Sequence, residues 1–324
     1  MNRTRFAARR LAQGLVALLL IVVVNFFLIR AAPGDPAAVM AGEAGAGDAK
    51  FVAQLRQQFG LDKPMIEQLG LYLGHVALLD LGQSYRQQRP VADLIAERVP
   101  ATLLLTGSAF VLSLLLGITL GAWSSSRVGT WSDSLVTTVA LIFYATPLFW
   151  VALMAVLILS IKLDWLPGFG MATVGQNLSP LGHAIDVAQH LVLPAVTLAL
   201  FYMAIYARMT RTSMLEVSRM DFVKTARAKG VPRGRIWRVH ILRNALLPII
   251  TLAGIQAGQM VGGAILTETV FAWPGIGRLM FEALLQRDYN LLLGLFLFTA
   301  AMVVLFNVLT DVIYTIVDPR IELR

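Results

Sequence analysis

Six stretches of this 324-residue chain are apolar for long enough to cross a lipid bilayer, and that feature limits the fold more than any other. A helix needs about 20 apolar residues to traverse the hydrocarbon. The segments are Leu11–Ile29, Ala101–Trp123, Ser134–Ile161, His190–Ala207, Ala245–Leu266 and Leu291–Ile316. Each is expected to be helical, because in lipid only a helix or a closed barrel satisfies its own backbone. Only 14% of the residues are charged, well below the quarter usual in a soluble domain. The first run follows four arginines, as a signal peptide would. At 19 residues it exceeds the 7–15 of a signal core, and "RAAPGDP" offers no clean cleavage site, so it reads as a retained span.

An even number of spans puts both termini on one side. With the termini in the cytoplasm, 17 of the 27 Lys/Arg fall on the inner face. The other ten are spread over longer outer loops, as the positive-inside rule requires. The chain divides into a tail and first span (1–30), an outer segment (31–96), a transmembrane domain (97–316) containing a cytoplasmic loop (210–247), and a tail (317–324). Turn signals at "APGDP", "LDKP" and "QQRP" break the outer segment into a small helical or irregular lobe. A second outer loop, Lys162–Gln189, is rich in Gly and Pro and reads as irregular. The +8 net charge does not indicate nucleic-acid binding, because the basic residues alternate with membrane-length apolar runs. The absence of cysteine excludes disulfides, thiolate metal sites and a cysteine nucleophile.

Inside the spans ionisable residues are scarce. Asp133, Lys162, Arg208, Glu268 and Asp311 all fall near predicted ends, and no chain of acids and histidines suggests a proton relay. The polar residues Asn25, Tyr144, Thr146, Tyr202, Gln256, Gln259 and Asn307 are candidates for lining a pathway. The blander reading of each, an interhelical hydrogen bond, is preferred. Pro147 and Pro194 are the positions where kinks are expected. Gly254, Gly258 and Gly262 repeat every four residues and form a smooth ridge for close helix packing. Two readings of that ridge stand equally: a neighbouring span of the same chain, or a second membrane subunit.

The loop "DFVKTARAKGVPRGRIWRVHILRNALLP", Asp221 to Pro248, holds seven Lys/Arg against one acid. Topology explains the sign of that charge but not its pattern. Ser218 and Asp221 have the form of a capping box, and Gly230 with Pro232 is a stop signal. A short helix of about eleven residues, roughly 16 Å long, is expected between them. Arg233–Leu247 would form a second helix. Charge spreads around the short helix, unlike that of a lipid-lying helix, whereas Phe222, Val223 and Ala226 are expected to share a side. A docking rod and a solvated basic hairpin are the two readings.

The stretch "SMLEVSRMDFVKTARAKGVPRGRIWRVHILRNALLPIITL" resembles the cytoplasmic "EAA" loop of ABC-importer permeases, in the variant of the dipeptide/oligopeptide/nickel family. "FFLIRAAPGDPAAVMAG", "RVPATLLLTGSAFVLSLLLGITLGA", "GGAILTETVFAWPGIGRLMFEALLQRDYN" and "DPRIELR" extend the resemblance over nearly the whole chain, with Val217 standing where many importers have alanine. The long outer segment and "APGDP" are similar to the first of the two permease types. The resemblance implies an all-α, type I importer permease of the bacterial inner membrane. It implies a second homologous permease, two ATPase subunits, and a periplasmic or lipid-anchored binding protein. It makes the short helix a coupling helix, with Asp221, Phe222, Ala226, Arg227, Ala228, Lys229 and Gly230 as its ATPase-coupling residues.

The resemblance further implies that ATP and Mg are used by the partner ATPases, with no cofactor or metal bound by this chain. The sequence agrees, since it holds no phosphate-binding G-x-x-x-x-G-K-[ST], no H-E-x-x-H and no paired catalytic signature. Peptide is the expected cargo, with nickel, glutathione or an oligosaccharide as alternatives. An ion-coupled transporter and an intramembrane enzyme are disfavoured.

Overall fold

The computed structural model describes residues 3–31, 37, 49–58, 62–84, 86–175 and 178–317. Side-chain surroundings at 3–11, 29, 30, 55, 58, 261–263 and 311–317 lie outside the description. The described residues form helices and connecting turns. In chain order the helices are α1 (Arg3–Ala31), α2 (Ala49–Gln58), α3 (Met65–Ala77), α4 (Val91–Ser125), α5 (Trp131–Ala145), α6 (Leu148–Ala155), α7 (Pro180–Ser218), α8 (Asp221–Ala228), α9 (Arg233–Arg235), α10 (Arg243–Gly263), α11 (Ile265–Val270), α12 (Ile276–Leu285) and α13 (Tyr289–Val317). Wider π-helical turns extend α6 through Val156–Lys162 and join α9 to α10 through Ile236–Leu242.

Among the described residues, four helical stretches are long and apolar enough to cross a membrane: Val91–Ser125, Pro180–Ser218, Arg233–Met260 and Tyr289–Thr310. Helix α1 carries the apolar stretch Ala12–Leu28. The expected third span is not one rod. Its halves, Trp131–Ala145 and Leu148–Lys162, meet at 102°. Pro147 lacks an amide proton and holds Thr146 out of the helical region, at ψ 133°. By contrast α4, α7 and α10 run through Pro100, Pro194 and Pro248 without ending. The Arg233–Leu247 helix is therefore continuous with the span that follows it.

Two other boundaries differ from expectation. Helix α4 starts at Val91, ahead of the boundary at 97. The last ten residues of the loop expected to be irregular are the first part of α7, which begins at Pro180. Ser179 caps it by accepting the Gly182 N–H at 3.2 Å, and Pro180 takes the first helical position, where a missing N–H costs nothing.

Helices α4 and α7 form the centre of the bundle. A Cβ on Gly117 or Gly121 of α4 would run into Tyr206, Ala207 or Thr210 of α7, so these glycines set how closely the helices approach. Two glycines of the ridge on α10 pack within the chain. Gly254 lies against Thr310 and Gly258 against Val303 and Phe306 of α13. The surroundings of Gly262 lie outside the described residues.

The stretch "ETVFAWPGIGRL" forms a buried knot. Glu268 is fully buried, although the sequence placed it merely near a span end. Its carboxylate accepts the Thr102 hydroxyl at 2.8 Å and the Arg278 N–H at 3.0 Å. Thr102 Oγ1 accepts the Ile276 N–H at 2.7 Å, and Trp273 Nε1 donates to the Ala101 carbonyl at 2.8 Å. These bonds cap the start of α12, whose own N-cap, Gly275, offers no side chain.

The end of the outer segment is fastened to the same region. Asp288 accepts from the Ser84 hydroxyl and the Arg86 N–H, and Asn290 donates to the Gln83 carbonyl at 3.2 Å. Tyr72 of α3 stacks on Phe26 of α1 with ring centres 5.6 Å apart.

Candidate functional site

The chain emerges from α7, turns, and enters the eight-residue α8. The turn is not the expected capping box. Thr210, Ser213, Met214 and Val217 bury one face of α7 through its last turns, and this packing carries the helix on to Ser218. The Ser218 hydroxyl donates to the Leu215 carbonyl at 2.7 Å and so looks back into α7. Met220 is the residue that precedes α8, in extended conformation and with no side-chain cap. The rod is accordingly about 12 Å long by the usual rise, shorter than the sequence suggested.

Its far end is as expected. Gly230 has φ +74°, a conformation that L side chains rarely adopt. The Gly230 N–H bonds to the Arg227 carbonyl at 3.0 Å, and the Val231 N–H reaches the Ala226 carbonyl at 3.2 Å. This pair of bonds is the Schellman closure, which satisfies the last carbonyls of the helix.

Two side chains seat the rod. Val223 is fully buried and Ala226 is 7% exposed. They pack against Ala122 of α4, Met214 and Val217 of α7, and Ile236, Ile241 and Ala245 on the way into α10. Ala226 therefore faces its own chain. Phe222 stands one turn before Ala226 and flanks that side, but it is 41% exposed and so lies at the edge of the seat, not in it. The outward surface consists of Asp221, Phe222, Lys224, Thr225, Arg227, Ala228 and Lys229. The exposed Asp221 and Lys224 pair at 2.9 Å, a contact of marginal energetic value.

Beneath the seat, one buried carboxylate joins three helices. Asp133 accepts Arg211 Nε at 2.8 Å and Nη2 at 2.9 Å in a bidentate grip. It also accepts the Ser124 hydroxyl and, at 3.2 Å, the Gly129 N–H. The end of α4, the start of α5 and the last third of α7 are thus fixed to one another. Sequence reasoning missed this pairing. The available signal was an acid at the start of one span and an arginine at the end of another.

The pathway candidates do not form one cluster. Tyr144 stacks on Phe201 at 5.7 Å, and Phe201 meets Tyr202 edge-on at 5.3 Å. The Arg208 guanidinium lies 5.4 Å from the Tyr144 ring centre. A cavity of about 260 Å³ opens beside Tyr144, bordered by Thr137, Arg208 and Thr212. Thr146 sits at the bend and bonds to the Ile142 carbonyl. Asn25 and Gln256 are half-buried, and Gln259 and Asn307 are exposed, away from the tyrosines in sequence and on other helices.

Residues 113–323 match the family described as binding-protein-dependent transport system inner membrane component. Residues 3–106 match that family's N-terminal membrane component. The chain is 38% identical over 319 residues to a putative peptide transport system permease protein of Brucella abortus, covering 98% of this chain and 99% of that protein. It is 38% identical over 335 residues to the dipeptide transport system permease protein DppB of Escherichia coli K12, covering 98% of each. In three dimensions it is similar to a chain of the MetNI methionine ABC transporter in an inward-facing conformation. That likeness has a TM-score of 0.55 at 18% identity, over 69% of this chain and 96% of the other, and it bears on the fold. A multi-pass helical bundle, a short helix seated between α7 and α10, and family matches over nearly its full length make this chain a member of the ABC-importer inner-membrane permease family of binding-protein-dependent transport systems.

Proposed function

We propose that the chain is one of two homologous permeases of a di- or oligopeptide importer, that it supplies half of the translocation pathway, and that both its termini are cytoplasmic. In this reading two ATPase subunits dock on the α8 face and hydrolyse ATP with Mg. A periplasmic or lipid-anchored binding protein delivers cargo to the opposite face. The observation that carries the reading is the two-sided character of α8. Val223 and Ala226 lock it to the bundle, while Phe222, Arg227 and Lys229 remain exposed.

A rod so held moves with α4, α7 and α10 as a unit. ATP can shift an inward–outward equilibrium only by its differential affinity for the two states. A stiff seat delivers that difference to the spans, and the Asp133–Arg211 grip passes it to α5. Peptide cargo is supported by the names of the relatives. The test is to reconstitute the complete importer in proteoliposomes and measure ATPase stimulation by the binding protein loaded with peptide, glutathione or Ni²⁺. Peptide alone is expected to stimulate. Stimulation by one of the others and not by peptide assigns the cargo elsewhere.

A further inference from the structure

An open groove of about 770 Å³ runs between the last turns of α4 and the wide-turned start of the α9–α10 span, on the α8 side of the bundle. Its floor is aliphatic: Ile118, Ala122 and Leu242. Its rim carries Trp123 and Trp237 with Arg233 and Arg238. No carboxylate lines it, and neither guanidinium has a hydrogen-bonding or ionic partner among the described residues. A third cation, Arg127, lies over the Trp123 ring at 4.8 Å from its centre.

We propose that this groove is a binding site for an anionic phospholipid, with an acyl chain along the floor and the phosphate between Arg233 and Arg238. Both walls belong to helices long and apolar enough to cross a membrane, and the floor between them is open and aliphatic. Paired tryptophans mark the level at which chains give way to headgroups. Basic pockets between spans on one side of the bundle are suited to acidic headgroups, and arginine binds phosphate through two parallel N–H donors. Three cations without a facing acid favour a lipid that bears net negative charge over a zwitterionic one. The site is independent of the cargo; Arg233 and Trp237 also border, with Arg227, the pocket next to α8.

The test uses the complete importer, delipidated and returned to nanodiscs of equimolar phosphatidylcholine and phosphatidylglycerol. Lipid retained on re-extraction is counted by native mass spectrometry. The wild type is expected to enrich phosphatidylglycerol about tenfold or more, and Arg233→Gln/Arg238→Gln to lower retention about twentyfold, at about fivefold per cation near the membrane surface. Arg233→Lys/Arg238→Lys, which keeps the charge, should retain most of it.

A photoactivatable phosphatidylglycerol should label the wild type on residues 118–126 or 233–242, a readout that needs no variant to fold. No enrichment, equal retention by the glutamine variant, or labelling elsewhere overturns the proposal. So does glycerophosphate binding with the same arginine dependence, which would make the ligand a free phosphate. Capture of a protein subunit by a photocrosslinker at Trp237 also overturns it.

Discussion

Arg211 of α7 holds Asp133 of α5, 78 residues away in sequence, through two hydrogen bonds of 2.8 and 2.9 Å, one turn before the Met214 that helps seat the short helix α8. Asp133 is nearly fully buried and Arg211 about two-thirds so. Removing one partner strands the other's charge.

Arg211→Ala is therefore expected to destabilise by about 3 kcal/mol, in the range for breaking a buried pair. Asp221→Asn, which removes only an exposed pair, should change stability by less than about 0.5 kcal/mol. Thermal unfolding of the solubilised complex, comparing the two variants, checks the contrast. Equal shifts would mean the Asp133 grip is no more than a surface contact.

Ala226→Glu places a carboxylate among the apolar side chains of Val217, Ile236 and Ile241. Burying a polar group without a partner costs about 1–3 kcal/mol on mutational scales, and a charge costs more. The rod should come away from the bundle, so transport falls together with protease resistance of the 219–232 loop. Phe222→Ala leaves the seat untouched and should leave protease resistance unchanged. Limited proteolysis separates the two effects.

Gly230→Val puts a β-branched residue at φ +74°. A side chain in the left-handed region costs about 1–2 kcal/mol, and branching raises that further. Gly230→Asn tolerates the conformation and should keep most activity. Peptide uptake in proteoliposomes distinguishes them: Asn should retain at least about half the parental rate, and Val should fall well below it.

Gly254 and Gly258 give a graded test of the α10–α13 packing. A Cβ at Gly254 overlaps the Thr310 side chain, whereas one at Gly258 stands 3.4 Å from Phe306 Cβ. Gly254→Ala should cost about 1–3 kcal/mol through overpacking, and Gly258→Ala much less. Matched thermal shifts for the two alanine variants would contradict the packing described.

The membrane class, most of the apolar spans, the location of the short helix and its Gly230 end were legible because hydropathy and glycine chemistry are local. What was not legible depends on tertiary partners. Ser218 has the spacing of a cap, yet packing of Met214 and Val217 on α4 extends α7 through it. The periodicity of α8 placed Phe222 and Val223 together, and only the neighbouring helices show which of the two is buried. Pro147 and Pro194 are alike as residues. One ends a helix at a 102° bend and the other sits inside a continuous helix. The Glu268 knot joins residues 166 positions apart, a distance over which no local pattern speaks.

The most direct measurement is the ratio of peptide transported to ATP hydrolysed in proteoliposomes holding the complete importer, for the parent and for Phe222→Ala/Arg227→Glu. These substitutions alter the outward face of α8 and leave Val223 and Ala226 in place. The account predicts an intact, assembled complex whose uptake per ATP drops at least about tenfold, the equivalent of about 1.4 kcal/mol of lost coupling. Uptake per ATP equal to the parent's, in a complex of the same composition, would contradict it.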